Sequence, residues 1–274
     1  MRVALVQMRS GIDPYANAIF LVNAIQEAAI GGAKMVFTPE MSGLLDRDRM
    51  RAGLHIADED GDVVLAKVRE AAADLGVWVS LGSLALRGGS DGRLINRSIL
   101  IDAKGSIRAR YNKIHLFDVD LPSGESWRES SAYSAGNEAI VVDTPIGKLG
   151  LSICYDIRFP ALYGALSGAG ATILAIPSAF TAPTGRAHWH TLLRARAIEN
   201  AAWVIAAAQS GVHEDGRTTF GHSLVVDPWG EVLLDMGDEC GVGFAEIDPA
   251  RSDDARARIP VLQHRRTIPE PVVL

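Results

Sequence analysis

Short apolar runs alternate with segments of helical period along nearly the whole chain, and this alternation restricts the fold more than any other property of the sequence. VALVQM (3–8), AKMVFTP (33–39), VWVSLGSLAL (77–86) and RLINRSILID (93–102) have strand character. PYANAIFLVNAIQEAAIGG (14–32) has helical period, with Pro near its start and Gly at its end. VVLAKVREAAADLG (63–76) is a second helix. The pattern resumes with AIVVD and KLGLSIC as strands, ALYGALSGAG as helix and ATILAIP as strand. AHWHTLLRARAIENA (187–201) is helical and WVIAAAQ extended, and HSLVVDPWGEVLLDM predicts a hairpin turning at PWG. Strands and helices in this order predict an α/β fold with mixed sheets. The similar order of elements in the two halves points to sheet packed on sheet with helices outside. No Gly/Ser-rich linker divides residues 1–274, so a single domain is expected, closing in a charged, Pro-containing tail (249–274).

Charge and length exclude several functions. A net charge of −6 argues against a general nucleic-acid surface, which needs a basic excess. The longest apolar run, AAWVIAAA (201–208), falls far short of the ~20 residues that cross a membrane. The start, MRVALVQM, enters a strand-like pattern at once, so no secretory leader is expected. Two cysteines make no disulfide framework, so a reducing, cytoplasmic setting is expected. No metal-ligand spacing and no glycine-rich phosphate loop is present, so neither metal nor cofactor is expected.

Three strands close on residues that carry chemistry: MVFTPE on Glu40, IRARYNK on Lys113 and LGLSIC on Cys154. Ligands of α/β sheets sit beyond the carboxyl ends of strands, so such groups can meet across one pocket. DIRFPAL, directly after Cys154, can start a helix, whose N-terminus would draw the thiol towards thiolate; the alternative is a small buried hydrophobe. Cys240, in GDECGVG, has no comparable setting. A thiol nucleophile needs a base, an oxyanion donor and a proton source. His115, His188, His190 and His222 could supply a Cys–His scheme, and no spacing selects one of them. In the other scheme Glu40 takes the thiol proton and returns it to a departing amine, while the Lys113 ammonium holds the oxyanion and favours the thiolate. The polar stretch 115–137 is expected to be a long functional loop.

FTPEM (37–41), YNKIHLFDVD (111–120) and SICYDIRFP (152–160) resemble the three signature segments of the nitrilase (carbon–nitrogen hydrolase) superfamily. The resemblance extends from VALVQ to IPVLQHRR (259–266) and implies a four-layer αββα sandwich. It implies Glu40 as general base and then acid, Lys113 as stabiliser of the tetrahedral intermediate, and Cys154 as the nucleophile that becomes a thioester. Glu129, in WRESSAY, matches a second glutamate that orients the lysine and substrate; otherwise it is a plain loop carboxylate. The backbone N–H of Tyr155 would be a second oxyanion donor. The tail would reach a subunit interface, giving a homodimer or higher homo-oligomer.

The substrate is read separately, as a small amide, nitrile or carbamoyl compound. Arg158, four residues after Cys154, lies one α-helical turn on and either grips a substrate carboxylate or pairs with Asp156. Phe180 either walls the pocket or packs in the core. PSAFTAPTG, LLRARAIEN, AAAQSG and GHSLVVDPWG are most similar to the branch that hydrolyses deaminated glutathione. CYDIRFP is shared with amidases acting on 2-oxoglutaramate, and hydrolysis of N-carbamoyl amino acids is a further alternative. Arg186 and His190 stand where these relatives commonly carry proline and glutamate, at what would be the pocket rim.

Overall fold

The computed structural model describes residues 1–120, 124 and 126–273. Positions 121–123 and 125 of the polar stretch 115–137, and residue 274 of the tail, lie outside the described residues. The first half runs β1 (Arg2–Gln7), α1 (Pro14–Ile30), β2 (Met35–Phe37), α2 (Arg49–Gly53), α3 (Val63–Leu75), β3 (Trp78–Arg87), β4 (Leu94–Ile101) and β5 (Ile107–Asn112). A short pair, β6 (Asp118–Asp120) and β7 (Ser126–Arg128), leads to β8 (Val141–Thr144) and β9 (Gly147–Leu151). Then come α4 (Pro160–Gly168), β10 (Ile173–Ala175), α5 (Ala182–Asn200) and β11 (Trp203–Ala206). The chain continues through β12 (Ser210–Val212), β13 (Thr218–Phe220), β14 (Leu224–Val226), β15 (Val232–Asp235) and β16 (Gly241–Glu246). It ends with α6 (Ala250–Arg258) and α7 (Val261–His264).

Helix boundaries follow local chemistry. Asp13 caps α1 by accepting from the Tyr15 N–H, and Asp62 caps α3 by accepting from Leu65 N–H; such caps contribute about 1 kcal/mol each. Helix α3 stops at Gly76, whose left-handed backbone suits glycine.

Two six-stranded mixed sheets result, ordered β16-β1-β2-β3-β4-β5 and β15-β14-β11-β10-β9-β8. Along β1 the side chains alternate between two cores. Val3 and Leu5 join the layer between the sheets, while Ala4 and Val6 join the layer under α1 and α3. From the second sheet Leu149, Leu151, Ile173, Ala175 and Ile205 meet the first group. Helices α4 and α5 pack against the second sheet and each other. The order helix, sheet, sheet, helix is the αββα sandwich that the family resemblance implied.

The sequence reading and the structure differ locally. The stretch 115–137 is not featureless: it carries β6, β7 and a 3₁₀ turn over Glu129–Ser131. Helix α5 begins at Ala182 rather than 187, entered through Pro183 in its first turn. Helix α2 and the β12–β13 hairpin were unforeseen. Among the described residues no helix is long and apolar enough to cross a membrane.

Candidate active site

Glu40, Lys113 and Cys154 each follow a strand by one to three residues, on neighbouring ends of the two sheets. Glu40 is 5% exposed, Lys113 2% and Cys154 8%. Lys113 Nζ lies 2.8 Å from Glu40 Oε1 and 2.9 Å from Glu129 Oε2. Glu40 Oε2 accepts the Ala179 N–H at 2.9 Å. Asn96, in the middle of β4, donates from Nδ2 to Glu40 Oε1 at 3.0 Å and to Glu129 Oε1 at 3.2 Å. Glu129 Oε2 also accepts the Phe117 N–H at 2.7 Å. Every carboxylate oxygen is thus engaged, which buried charge requires.

Close backbone approach makes this possible. A Cβ on Gly82 of β3 would stand 2.0 Å from Thr38 O and 2.4 Å from Pro39 O, so only glycine lets the segment carrying Glu40 lie against the sheet. Met41 and Cys154 both have left-handed backbone, at φ 56° and 48°; strain of this kind collects at functional sites. Cys154 opens a 3₁₀ turn, Cys154–Arg158, that ends before α4. Asp156, fully buried, holds that turn: it accepts from the Ile153 N–H, the Tyr111 hydroxyl and the His115 N–H. This network, and Asn96, were missed from sequence. A lone amide inside the apolar run LINRSILI was the available signal for Asn96.

The electrostatics overturn one expectation. Burial alone would raise the Glu40 carboxyl, but the Lys113 charge and hydrogen bond hold it below the ordinary range. Burial disfavours charged Lys113, yet Glu129 and Glu40 hold its ammonium well above its usual value. For Cys154, burial and the neighbouring Glu40 charge push the thiol well above the ordinary cysteine range, and Lys113 opposes them only in part. The resting group is a thiol, not the thiolate that a helix start would favour. The turn after Cys154 is one short 3₁₀ piece, too little to offset a desolvated sulfur beside the Glu40 carboxylate.

These groups form the floor of a cavity of about 550 Å³, lined also by Tyr155, Phe180 and Tyr133. Phe180 is therefore a wall of the cavity, and its ring also meets Trp189. Arg158 does not line the cavity. Its guanidinium lies 5.3 Å from the Phe180 ring centroid and 3.3 Å from His188 Nδ1. Four residues around a 3₁₀ turn do not return to one face as they do in an α-helix, because the 3₁₀ repeat is 3.0 residues. Arg158 does not pair with Asp156 either. Arg186 and His190 also lie outside the lining; Arg186 is exposed and His190 bonds Asp235 beside His222. None of the four histidines weighed as bases lines the cavity, and His115 bonds Asp156. Cys240 is exposed.

With this geometry in place, comparison with known proteins is direct. The family described as carbon-nitrogen hydrolase matches residues 2–257. The nitrilase and fragile histidine triad fusion protein NitFhit of Caenorhabditis elegans is 44% identical over 267 residues, taking in 97% of this chain and 60% of the fusion protein. Its crystal structure superposes with a TM-score of 0.89 at 43% identity, over 97% of this chain and 65% of that one. The deaminated glutathione amidase of Yersinia enterocolitica is 40% identical, covering 97% of this chain and 93% of its own. A mutant amidase from Nesterenkonia sp. AN1, carrying acrylamide added at its active site cysteine, superposes with a TM-score of 0.78 at 27% identity, over 95% and 98% of the two chains.

Proposed function

The chain belongs to the carbon–nitrogen hydrolase family, and from that premise we propose that Cys154, Glu40 and Lys113 cleave the amide of deaminated glutathione through a thioester. The observation that carries this reading is the mutual contact of Glu40, Lys113 and Glu129 beside a buried thiol on the floor of one cavity. In the first step Sγ attacks the amide carbonyl carbon as Glu40 removes the thiol proton. Of the three ammonium protons on Lys113, the two glutamates take two, and the third stabilises the oxyanion together with the Tyr155 N–H. The tetrahedral intermediate collapses by breaking C–N as Glu40 gives its proton to the departing nitrogen. Water, deprotonated by Glu40, then attacks the thioester; C–S breaks, the acid leaves and Sγ recovers its proton. Glu129 and Asn96 keep Lys113 and Glu40 in place through both halves.

Relatives named deaminated glutathione amidase support the choice of substrate. Its γ-amide is a linear amide at the opposite end of a five-carbon chain from a 2-oxo acid, and the products would be 2-oxoglutarate and cysteinylglycine. The purified protein is expected to release both. Turnover of nitriles or N-carbamoyl amino acids, with none on this compound, would overturn the substrate; preference for 2-oxoglutaramate would move it to the sister reading. We also propose that the exposed tail, with Ile268, Val272 and Val273, lies between copies of the chain; light scattering that gives a monomer would remove this.

A further inference from the structure

The solvent side of the cavity contains a second group of charges that the chemistry above does not use. Arg47, Trp127 and Arg217 line it there. The two guanidinium carbons lie 5.7 and 5.1 Å from the Trp127 ring centroid. Asp215, whose side chain is fully buried, ties both arginines. Its Oδ2 accepts from Arg217 Nε at 2.7 Å and stands 3.9 Å from Arg47 Nε. It also accepts the backbone N–H groups of Arg47, at 2.9 Å, and Arg217, at 3.0 Å. Asp215 thus faces two guanidiniums; the other carboxylate lining this side, Asp46, is paired with Arg51, and with Arg49 and Arg128 also in the lining the excess charge is positive. Among the described residues, no protein acceptor takes the terminal nitrogens of Arg47 or Arg217, and none takes the buried Trp127 Nε1–H.

The cavity is therefore polarised. Its floor holds two carboxylates against one ammonium, a poor place for a further anion, while its solvent side offers rigid guanidiniums that suit a carboxylate bidentately. We propose that Arg47 and Arg217, braced on Trp127 and held by Asp215, recognise a substrate carboxylate remote from the scissile carbonyl, making anionic amides the preferred substrate class. The clamp takes the role sequence reasoning gave to Arg158. The inference rests on the reading of Cys154 as the nucleophile, and its test separates the two.

The test compares an amide carrying a free carboxylate at the end remote from the scissile carbonyl with its methyl ester. The wild type should favour the acid by roughly ten- to hundredfold in kcat/KM, mostly through KM, the range of charge-assisted hydrogen bonds. Arg217→Gln and Arg47→Gln should each bring the ratio towards one, and Arg217→Lys should keep part of it because the charge remains. A wild-type ratio near one, or variants that keep the full ratio, would overturn the proposal. Should Arg217→Gln fail to fold, the wild-type ratio and Arg47→Gln decide. Protection of Cys154 from iodoacetamide by the two compounds yields the same ratio without turnover. A protein that cleaves neither compound would sink the hydrolase reading and still decide this one.

Discussion

The floor and the solvent side of the cavity are both built from charged residues, but they hold their charges differently. On the floor the Lys113, Glu40 and Glu129 side chains are 3%, 6% and 12% exposed, and each polar atom has a partner. At the solvent side Arg47 is 49% exposed and shares a single carboxylate with Arg217. Desolvated charges with matched partners hold fixed geometry and altered proton affinities, which is what proton transfer at a set position needs. Guanidiniums held by one shared carboxylate, with their terminal nitrogens unclaimed among the described residues, keep donors free to capture an anion. The difference assigns chemistry to one end and selection to the other.

The comparison breaks most visibly at Lys113. Lys113→Met leaves Glu40 and Glu129 buried and uncompensated, a loss of about 3–5 kcal/mol in unfolding free energy. Activity should fall roughly a thousandfold or more. Without the ammonium, burial raises the carboxyl pKa values, so the variant should recover stability as the pH is lowered and one carboxyl takes a proton. Denaturant melts at two pH values check this, and a variant as stable as wild type at neutral pH would show the floor to be less coupled than its distances imply.

A backbone test sharpens the same contrast. Gly82→Ala would drive a methyl into the Thr38 and Pro39 carbonyls under Glu40. The expected cost is about 1–3 kcal/mol, with activity reduced by up to about a hundredfold through displacement of the base. Gly53, near the solvent side, has open space where a Cβ would stand; Gly53→Ala should change stability by no more than about 0.5 kcal/mol. Equal thermal shifts in the two variants would remove the distinction.

The smallest effect concerns pH. Glu40 titrates below its ordinary 4.5 and the thiol above its ordinary 9.0, so the competent pair, carboxylate and thiol, exists between those limits. The kcat/KM profile should be flat from about pH 5 to 8.5. A bell centred near pH 6.5 would instead indicate a thiolate–imidazolium pair. The sign for stability is the same: the contribution of ionised Glu40 is complete above its unfolded value and is lost as pH falls through the lower folded one.

The floor was legible because its three main residues close apolar strands, and strand ends on adjoining sheets must converge. Sheet packed on sheet was legible from the similar element order of the two halves, and the four layers from the family resemblance; the structure supplies the physical reason, since strands such as β1, apolar on both faces, need a layer on each side. The thiol's proton affinity was misread because the chain shows its sequence neighbours, a turn start, and not Glu40 arriving from the other sheet. Arg158 was misplaced because 3₁₀ and α turns look alike in sequence. Arg47, Trp127 and Arg217 lie on three separate segments with no period or motif, and only the packing of the sheets brings them to one ring.

Central to everything is the sulfur of Cys154 as the atom that carries the acyl group. Acid quench of the protein during turnover of an activated amide, followed by peptide mass analysis, tests it most directly. The expected result is one acyl mass per chain, confined to the peptide containing Cys154, with both that mass and turnover absent from Cys154→Ala. Turnover that persists in Cys154→Ala, or an acyl mass on any other residue, would contradict the account.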